Sequence, residues 1–244
     1  MEGYDPLTIF GPERAEIYDQ DLRGDETETV AFLERLAAGG PALELAIGNG
    51  RVALPLAARG IRVDGIESSQ AMVDVLRRKP GGDRIDVTIG DMAHVRAPGT
   101  YPLVFLIYNT IFNLLTQEDQ VRCFQNAAAH LTEEGSFVVE AIVPSFLHRL
   151  RDDQYVDAEE IGVDQVWFDV GRHDPVAQRL DESHVRITAE GILLQPIVAR
   201  YAWPSELDLM ARLAGLRLQH RWGGWEDEPF DGRSVRHVSV YGRE

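Results

Sequence analysis

Residues 43–52 read Leu43-Glu44-Leu45-Ala46-Ile47-Gly48-Asn49-Gly50-Arg51-Val52. An apolar run with one acid leads into a Gly-x-Gly turn, and the residues after the turn have helical composition. This order is typical of a β-strand, a tight turn and a helix N-terminus whose N–H groups face a nucleotide-like ligand. Gly48 and Gly50 allow positive φ angles and leave room for a close ligand. The motif alone leaves two alternatives open: a dinucleotide fingerprint, Gly48-x-Gly50-x-x-Ala53, and an ordinary glycine turn.

Two later apolar segments also end in acids. Residues 61–66 read as a strand followed by Glu67, and residues 85–89 read as a strand followed by Gly90-Asp91-Met92. A carboxylate at Glu67 can accept both hydroxyls of a ribose, because it offers two acceptor oxygens. Asp91 can accept from an adenine amino group while Met92 packs beside the ring. Since parallel strands end at one edge of their sheet, we expect these acids to share a ligand site.

These motifs resemble those of the class I S-adenosylmethionine-dependent methyltransferases. The residues that carry the resemblance are Glu44-x-x-x-Gly48-x-Gly50, Glu67, Gly90-Asp91-Met92 and Tyr108-Asn109, and the resemblance extends from about residue 18 to the C-terminus. Within the family the chain is most similar to small-molecule N- and O-methyltransferases, such as the glycine and amino-sugar N-methyltransferases. One residue departs from the pattern, because Ala46 stands where the family usually has the first glycine of its loop.

The resemblance implies a function and a set of cofactor contacts. It implies in-line transfer of a methyl group from S-adenosyl-L-methionine to nitrogen or oxygen of a small molecule, with S-adenosyl-L-homocysteine as product, in bacterial secondary metabolism. Tyr18 is either a cofactor contact or an anchor for the terminal segment. The cofactor-binding residues that the resemblance implies are Tyr18, Glu44, Ala46, Gly48, Gly50, Glu67, Ser68, Met72, Asp91, Met92 and Tyr108.

The catalytic residues are harder to identify from the sequence. We expect Tyr108, Asn109 and Asn113 near the reacting atoms, because the resemblance implies that the end of the fourth strand borders the cofactor's methyl group. His148, in or near the inserted region, is the third candidate catalytic residue beside Tyr108 and Asn109. Other candidate bases are His94, His173, His184 and Glu140. No spacing of His, Asp and Glu indicates a metal site, so no metal is expected.

The pattern of elements predicts an α/β fold. Strands and helices alternate from residue 42 to a fifth strand at 136–141, which predicts a parallel, Rossmann-like sheet. A final hairpin, 216–222 and 234–241, completes seven strands with the last one antiparallel. Between residues 144 and 203 the alternation stops, and strands at 166–170, 184–188 and 193–201 predict a small antiparallel insertion.

The same pattern divides the chain into three parts. We expect an N-terminal helical cap (1–40), a cofactor-binding domain (41–143 and 204–244) and an inserted sheet (144–203). The insertion follows the fifth strand, where it must cross the carboxyl edge of the sheet, so it is expected to form a lid over the active site. The alternative is an ordinary packing subdomain.

Composition limits the partners. The net charge is −16, with 40 acids against 24 bases, which weighs against a nucleic-acid substrate. The sequence shows no apolar run long enough for a membrane span and no signal-peptide pattern, and Cys123 is the only cysteine. We therefore expect a cytoplasmic enzyme, monomer or homodimer, with a small-molecule acceptor and neither nucleic acid nor membrane as partner.

One alternative function stays open at this point. A nucleotide-binding Rossmann protein, either an NAD-type oxidoreductase or a cofactor-binding regulatory module, would share the Gly-x-Gly turn. Against NAD stands Glu44, because dehydrogenase fingerprints are usually apolar four residues before the first turn glycine.

Overall fold

The computed structural model describes residues 1–20 and 26–243 of the chain. Its helices and strands alternate through the first half, and strands dominate the second half. The helices are α1 (Pro12–Ile17), α2 (Thr27–Ala37), α3 (Ala53–Ala58), α4 (Gln70–Arg78), α5 (Gln117–His130) and α6 (Pro204–Leu213). The strands are β1 (Ala42–Leu45), β2 (Val63–Glu67), β3 (Asp86–Ile89), β4 (Tyr101–Leu106), β5 (Leu131–Ile142), β6 (Gln154–Ile161), β7 (Gln165–Asp174), β8 (Arg179–Thr188), β9 (Gly191–Arg200), β10 (Leu216–Trp222) and β11 (Arg236–Arg243).

The main sheet has seven strands in the order β10-β11-β5-β4-β1-β2-β3. Strands β1 to β5 pair in parallel, whereas β11 is antiparallel to both β5 and β10. This arrangement confirms the predicted seven-stranded sheet with an antiparallel last strand. It also brings the ends of β1, β2 and β3 to one edge, as the acids at those ends required.

Helices cover both faces of this sheet. Alternate residues of a strand point to opposite faces, so Leu43 and Val104 belong to one buried cluster while Leu103 and Phe105 belong to the other. Strand β4 is buried along almost its whole length, which explains its continuous apolar sequence.

The insertion forms a separate sheet of four antiparallel strands in the order β6-β7-β8-β9. The sequence predicted antiparallel strands here but only three of them, because β6 was missed. This edge strand carries exposed acids, including Asp157 and Glu159, and such charges hide the hydrophobic alternation of a strand.

The N-terminal region contains α1 and α2, and its role as a helical cap stays a prediction. Residues 21–25 of that predicted cap lie outside the described part of the chain.

Candidate active site

The loop after β1 has three residues with left-handed backbone: Ala46 (φ 54°), Gly48 (φ 57°) and Gly50 (φ 78°). Ala46 therefore adopts the conformation that explains a glycine at this place in the family, and an L-residue there is strained. A Cβ on Gly48 would lie 3.2 Å from Cε of Met72, and one on Gly50 only 2.3 Å from Cδ1 of Leu76. Because Gly50 has no side chain, Leu76 of α4 can pack closely against the loop.

A first cavity of about 280 Å³ lies at the carboxyl ends of β1, β2 and β3. This volume is close to the lower end of small-molecule sites, about 300 Å³. Eight of the eleven predicted cofactor residues line it. They are Tyr18, Ala46, Gly48, Glu67, Ser68, Met72, Asp91 and Met92.

The N-terminal segment and the region after β4 complete this cavity. Asp5, Pro6, Leu7 and Phe10 line it from the N-terminal segment, and none of these four was among the predicted site residues. Tyr18 lines the cavity and is also anchored, because its carbonyl accepts from Nη2 of Arg51 at 3.0 Å. Both readings of Tyr18 are therefore compatible with the structure. The remaining lining residues are Ile66, Gly90, Thr110, Asn113, Leu114, Leu115 and Asp119.

Glu67 is the buried acid of this cavity. Its Oε2 accepts from the Gly48 N–H at 2.8 Å, and its Oε1 accepts from the Ser69 N–H at 2.8 Å. Burial raises the pKa of this carboxyl, and the two N–H groups partly offset that rise. Oε2 keeps a lone pair for a further donor, whereas Oε1 also accepts from the Ser68 hydroxyl at 3.4 Å, a long bond that a ligand hydroxyl could replace.

Asp91 stands at the end of the neighbouring strand. Its Oδ1 accepts from the Ala93 N–H at 2.8 Å, and its Oδ2 lies 3.3 Å from Nδ1 of His94. Together with Glu67 it places two acceptor groups on one cavity, as a nucleoside with ribose hydroxyls and an amino group requires. The residues present therefore fit the cofactor that the sequence implied.

Glu44 lies behind the loop and does not line the cavity. It is fully buried, and its Oε2 has no hydrogen-bond partner among the described residues. Burial raises the pKa of Glu44 well above its ordinary value, and the nearby Glu67 carboxylate raises it further. The Ala53 N–H at the start of α3 donates to this carboxyl, so Glu44 links β1 to the first turn of α3 behind the loop.

Tyr108 and Asn109, after β4, have consecutive left-handed conformations with φ of 58° and 59°. Oε2 of Glu140 accepts from the Tyr108 N–H at 2.6 Å, and Oδ1 of Asn109 accepts from the Ile142 N–H at 2.6 Å. The Tyr108 hydroxyl donates to Glu26 at 3.1 Å. The end of β5 therefore fixes this loop. Glu140, one of the candidate bases, is thus a buried acceptor for backbone N–H.

A second cavity of about 330 Å³ lies between this loop and one face of the four-stranded sheet. Tyr108 and Asn109 line it, and Asn113 lines both cavities, so the two adjoin. Its aromatic residues come from the loop, the turn after β5 and β7. They are Tyr108, Phe112, Phe146, Trp167 and Phe168.

The other candidate bases are scattered. His148 is exposed, stacks on Trp203 with ring centroids 5.2 Å apart, and lines neither cavity. The ring of His173 is buried and contacts the Tyr201 hydroxyl. The structure thus groups Tyr108 and Asn109 but leaves His148 apart from them.

His184 does line the second cavity. Among the described residues, Asp169, Glu182 and His184 bring ligand atoms within 4.8 Å of one another. Sequence spacing could not reveal this group, because it forms only when β7 and β8 pair.

Comparison with known proteins supports one family. A family profile described as "Methyltransferase domain" matches residues 42–135. The chain is 38% identical to the CcbJ methyltransferase from Streptomyces caelestis, over 98% of this chain and 99% of that one, with a TM-score of 0.89. It is 25% identical over 206 residues to the cypemycin N-terminal methyltransferase of a Streptomyces species, covering 84% of each.

A further solved structure shares the fold. CalS10, an amino pentose methyltransferase from Micromonospora echinaspora, gives a TM-score of 0.71 at 22% identity, over 94% of this chain and 95% of that one. These matches support methyl transfer and not the NAD-type alternative. The loop after β1, the acids at the ends of β2 and β3, the antiparallel β11 and these relatives agree: the chain belongs to the class I S-adenosylmethionine-dependent methyltransferases.

Proposed function

We propose that this enzyme transfers a methyl group from S-adenosyl-L-methionine to a nitrogen atom of a small molecule and releases S-adenosyl-L-homocysteine. The observation that carries the proposal is the pair of adjoining cavities that share Asn113. Eight of the eleven residues predicted for the cofactor line the first cavity, and the second is large enough for a small acceptor.

The residues of the first cavity have distinct proposed tasks. Glu67 accepts from the ribose hydroxyls, and Asp91 accepts from the adenine amino group. Ala46 and Gly48 line the same cavity, and their backbone would contact the bound cofactor. When bound, S-adenosyl-L-methionine supplies a methyl group on a positively charged sulfur, which is a strong electrophile.

The protein's contribution to the reaction is chiefly orientation. The Tyr108–Asn109 loop lines the acceptor cavity, while the N-terminal segment and the inserted sheet, proposed as a lid, exclude water. Holding two reactants in line can remove about 7–11 kcal/mol of the barrier.

The proposed acceptor is a nitrogen compound of secondary metabolism. The names of two relatives, an N-terminal methyltransferase and an amino pentose methyltransferase, both refer to such acceptors. A nucleic-acid acceptor is disfavoured by the net charge of −16. Oxygen is the second candidate atom.

The proposal also includes the setting of the enzyme. Among the described residues, no helix is both long enough and apolar enough to cross a membrane. Cys123 is a buried free thiol, which is compatible with a reducing cytoplasm. We propose a cytoplasmic monomer or homodimer.

Calorimetry and thermal unfolding test the cofactor. We expect S-adenosyl-L-homocysteine to bind and, at 100 times its dissociation constant, to stabilise the fold by about 2.7 kcal/mol. NAD and NADP should do neither. Binding of NAD without binding of S-adenosyl-L-homocysteine would refute the proposal.

A further inference from the structure

The proposed reaction leaves one group of polar side chains in the second cavity unexplained. We call Asp169, Glu182 and His184 the carboxylate–histidine cluster. All three line the cavity, and their side chains are largely buried, with exposed fractions of 16%, 21% and 32%.

The register of the inserted sheet builds this cluster. Asp169 of β7 pairs with His184 of β8, so both side chains lie on the same face. Glu182 precedes His184 by two residues and therefore shares that face. On the far side of His184, Gln195 of β9 extends the same polar row.

Hydrogen bonds hold the cluster in place. Oδ1 of Asp169 lies 2.5 Å from Nδ1 of His184, and the Tyr155 hydroxyl donates to Oε2 of Glu182. Nε2 of His184 lies 3.7 Å from Oε1 of Glu182. The three side chains therefore have fixed positions on the cavity wall before any ligand enters.

The charge of the cluster is negative even when His184 is protonated, because two carboxylates then face one imidazolium. Burial raises the pKa of Glu182, and the Tyr155 hydroxyl and His184 offset part of that rise. Arg186 also lines the cavity, but it lies 4.9 Å from the centre of the Trp167 ring and donates to Oε1 of Gln165 at 2.8 and 3.1 Å. In the described part of the chain it forms no ion pair with Asp169 or Glu182.

Much of the remaining wall is apolar. Phe112, Phe146, Leu180 and Ile197 line the same cavity. A ligand that fits both surfaces has an apolar body and one cationic end.

We propose that Asp169, Glu182 and His184 form a subsite that binds a protonated amine of the methyl acceptor. This ammonium group is not the atom that is methylated, because a protonated nitrogen has no lone pair with which to attack the methyl group. This inference rests on the proposed function, and it restricts the acceptor to compounds that carry an ammonium group. A divalent cation is the competing occupant of these three side chains, and the apolar residues of the same cavity favour an amine with an apolar body over a bare ion.

Binding of a small amine tests the subsite without knowledge of the true acceptor. The probe is cyclohexylamine, which is protonated at neutral pH, and the reference is cyclohexanol, which has the same ring without the charge. Both are titrated by NMR into the full chain saturated with S-adenosyl-L-homocysteine. We expect roughly millimolar affinity for the amine, as its size allows, and at least tenfold weaker binding of the alcohol.

Matched variants locate the binding. Glu182→Gln and Asp169→Asn remove one charge each with little change in shape, and each should weaken amine binding about tenfold, the worth of one charge-assisted hydrogen bond. Glu159→Gln is the control, because Glu159 lines the same cavity but is exposed and lies outside the cluster. It should leave amine affinity within about twofold of the wild-type value. A larger loss would mean that the overall negative charge of the cavity, and not the cluster, attracts the amine.

The outcomes separate this inference from the proposed function. If S-adenosyl-L-homocysteine binds each variant normally but the wild type binds amine and alcohol equally, the subsite is refuted while the methyltransferase stands. Equal weakening by Glu159→Gln also refutes it. Micromolar binding of Mn²⁺ or Zn²⁺ that Asp169→Asn abolishes would make the cluster a metal site instead. Failure of S-adenosyl-L-homocysteine to bind the wild type would refute the proposed function itself.

Discussion

Glu67 performs two tasks with one carboxylate: it holds the Gly48 and Ser69 N–H groups, and it is proposed to accept the ribose hydroxyls. Glu67→Gln keeps one acceptor oxygen and the side-chain shape. We expect the affinity for S-adenosyl-L-homocysteine to fall at least about tenfold, because one unsatisfied buried group costs about 1–3 kcal/mol. Isothermal titration calorimetry measures this, with exposed Glu134→Gln as the control. Unchanged affinity in a folded variant would remove Glu67 from the ribose site.

Ala46 carries backbone strain that a glycine would not. Ala46→Gly should raise the unfolding free energy by about 0.5–1 kcal/mol, because relief of the left-handed conformation exceeds the entropy cost of glycine. The corresponding rise in Tm is about 2–4 °C per kcal/mol for a chain of this size. Ala38, exposed and also left-handed with φ of 47°, offers the matched variant Ala38→Gly away from the cavity. A gain at Ala38 with a loss at Ala46 would show that the Ala46 methyl has a packing role that outweighs its strain.

Among the elements, the end of β5 decides the shape of the proposed acceptor cavity, since Glu140 and Ile142 hold the left-handed pair Tyr108 and Asn109. Glu140→Ala leaves a buried Tyr108 N–H without its acceptor, which costs about 1–3 kcal/mol. We expect a lower Tm and faster hydrogen exchange of the Tyr108 amide, while affinity for S-adenosyl-L-homocysteine stays within about twofold. Glu140→Gln retains an acceptor oxygen and should lie between wild type and Glu140→Ala. Equal exchange rates in all three proteins would show that Glu140 does not hold the loop.

The elements also show how far sequence patterns reach. The βαβ alternation and the acids after β2 and β3 predicted the sheet and most of the first cavity, because they depend on residues that are close in the chain. Two other features depend on contacts between distant segments. They are the N-terminal residues around Phe10 that line the first cavity, and the pairing of Asp169 with His184. His148 stacks on Trp203 and lines neither cavity, because sequence position after β5 does not indicate which way a side chain points.

Across the whole molecule, three buried carboxyls, Glu44, Glu67 and Glu140, share one electrostatic consequence. Burial raises the pKa of each above its ordinary value. Between the ordinary and the raised pKa the folded state binds more protons than the unfolded state, so stability is full below this window and is lost as pH rises through it. Tm of the ligand-free protein should therefore rise as pH is lowered from 8 to about 6.5. Below that pH the buried His237 opposes the rise, because burial lowers its pKa to about 3 and only the unfolded chain then binds the extra proton.

Glu44→Gln isolates the largest of these contributions. The amide is neutral at every pH, so the variant should be more stable than wild type at pH 8 and should show a flatter rise of Tm on acidification. Hydrogen bonds to Thr116 and Arg122 lower the pKa of Asp119. Its contribution to stability therefore changes only below the ordinary pKa of an aspartate, outside this window. A variant with the wild-type pH profile would show that Glu44 does not carry the effect.

The position of β11 has a consequence for how the protein is made. This strand follows all other described strands in sequence but pairs with β10 on one side and β5 on the other. During synthesis, β5 leaves the ribosome long before β11, and its apolar edge around Phe137, Val138 and Val139 must wait without a partner. Such an edge is a template for pairing with other nascent chains and a target for chaperones. A messenger RNA truncated before the codon for Arg236 should therefore yield an aggregated product, even though every residue of both cavities has already been translated.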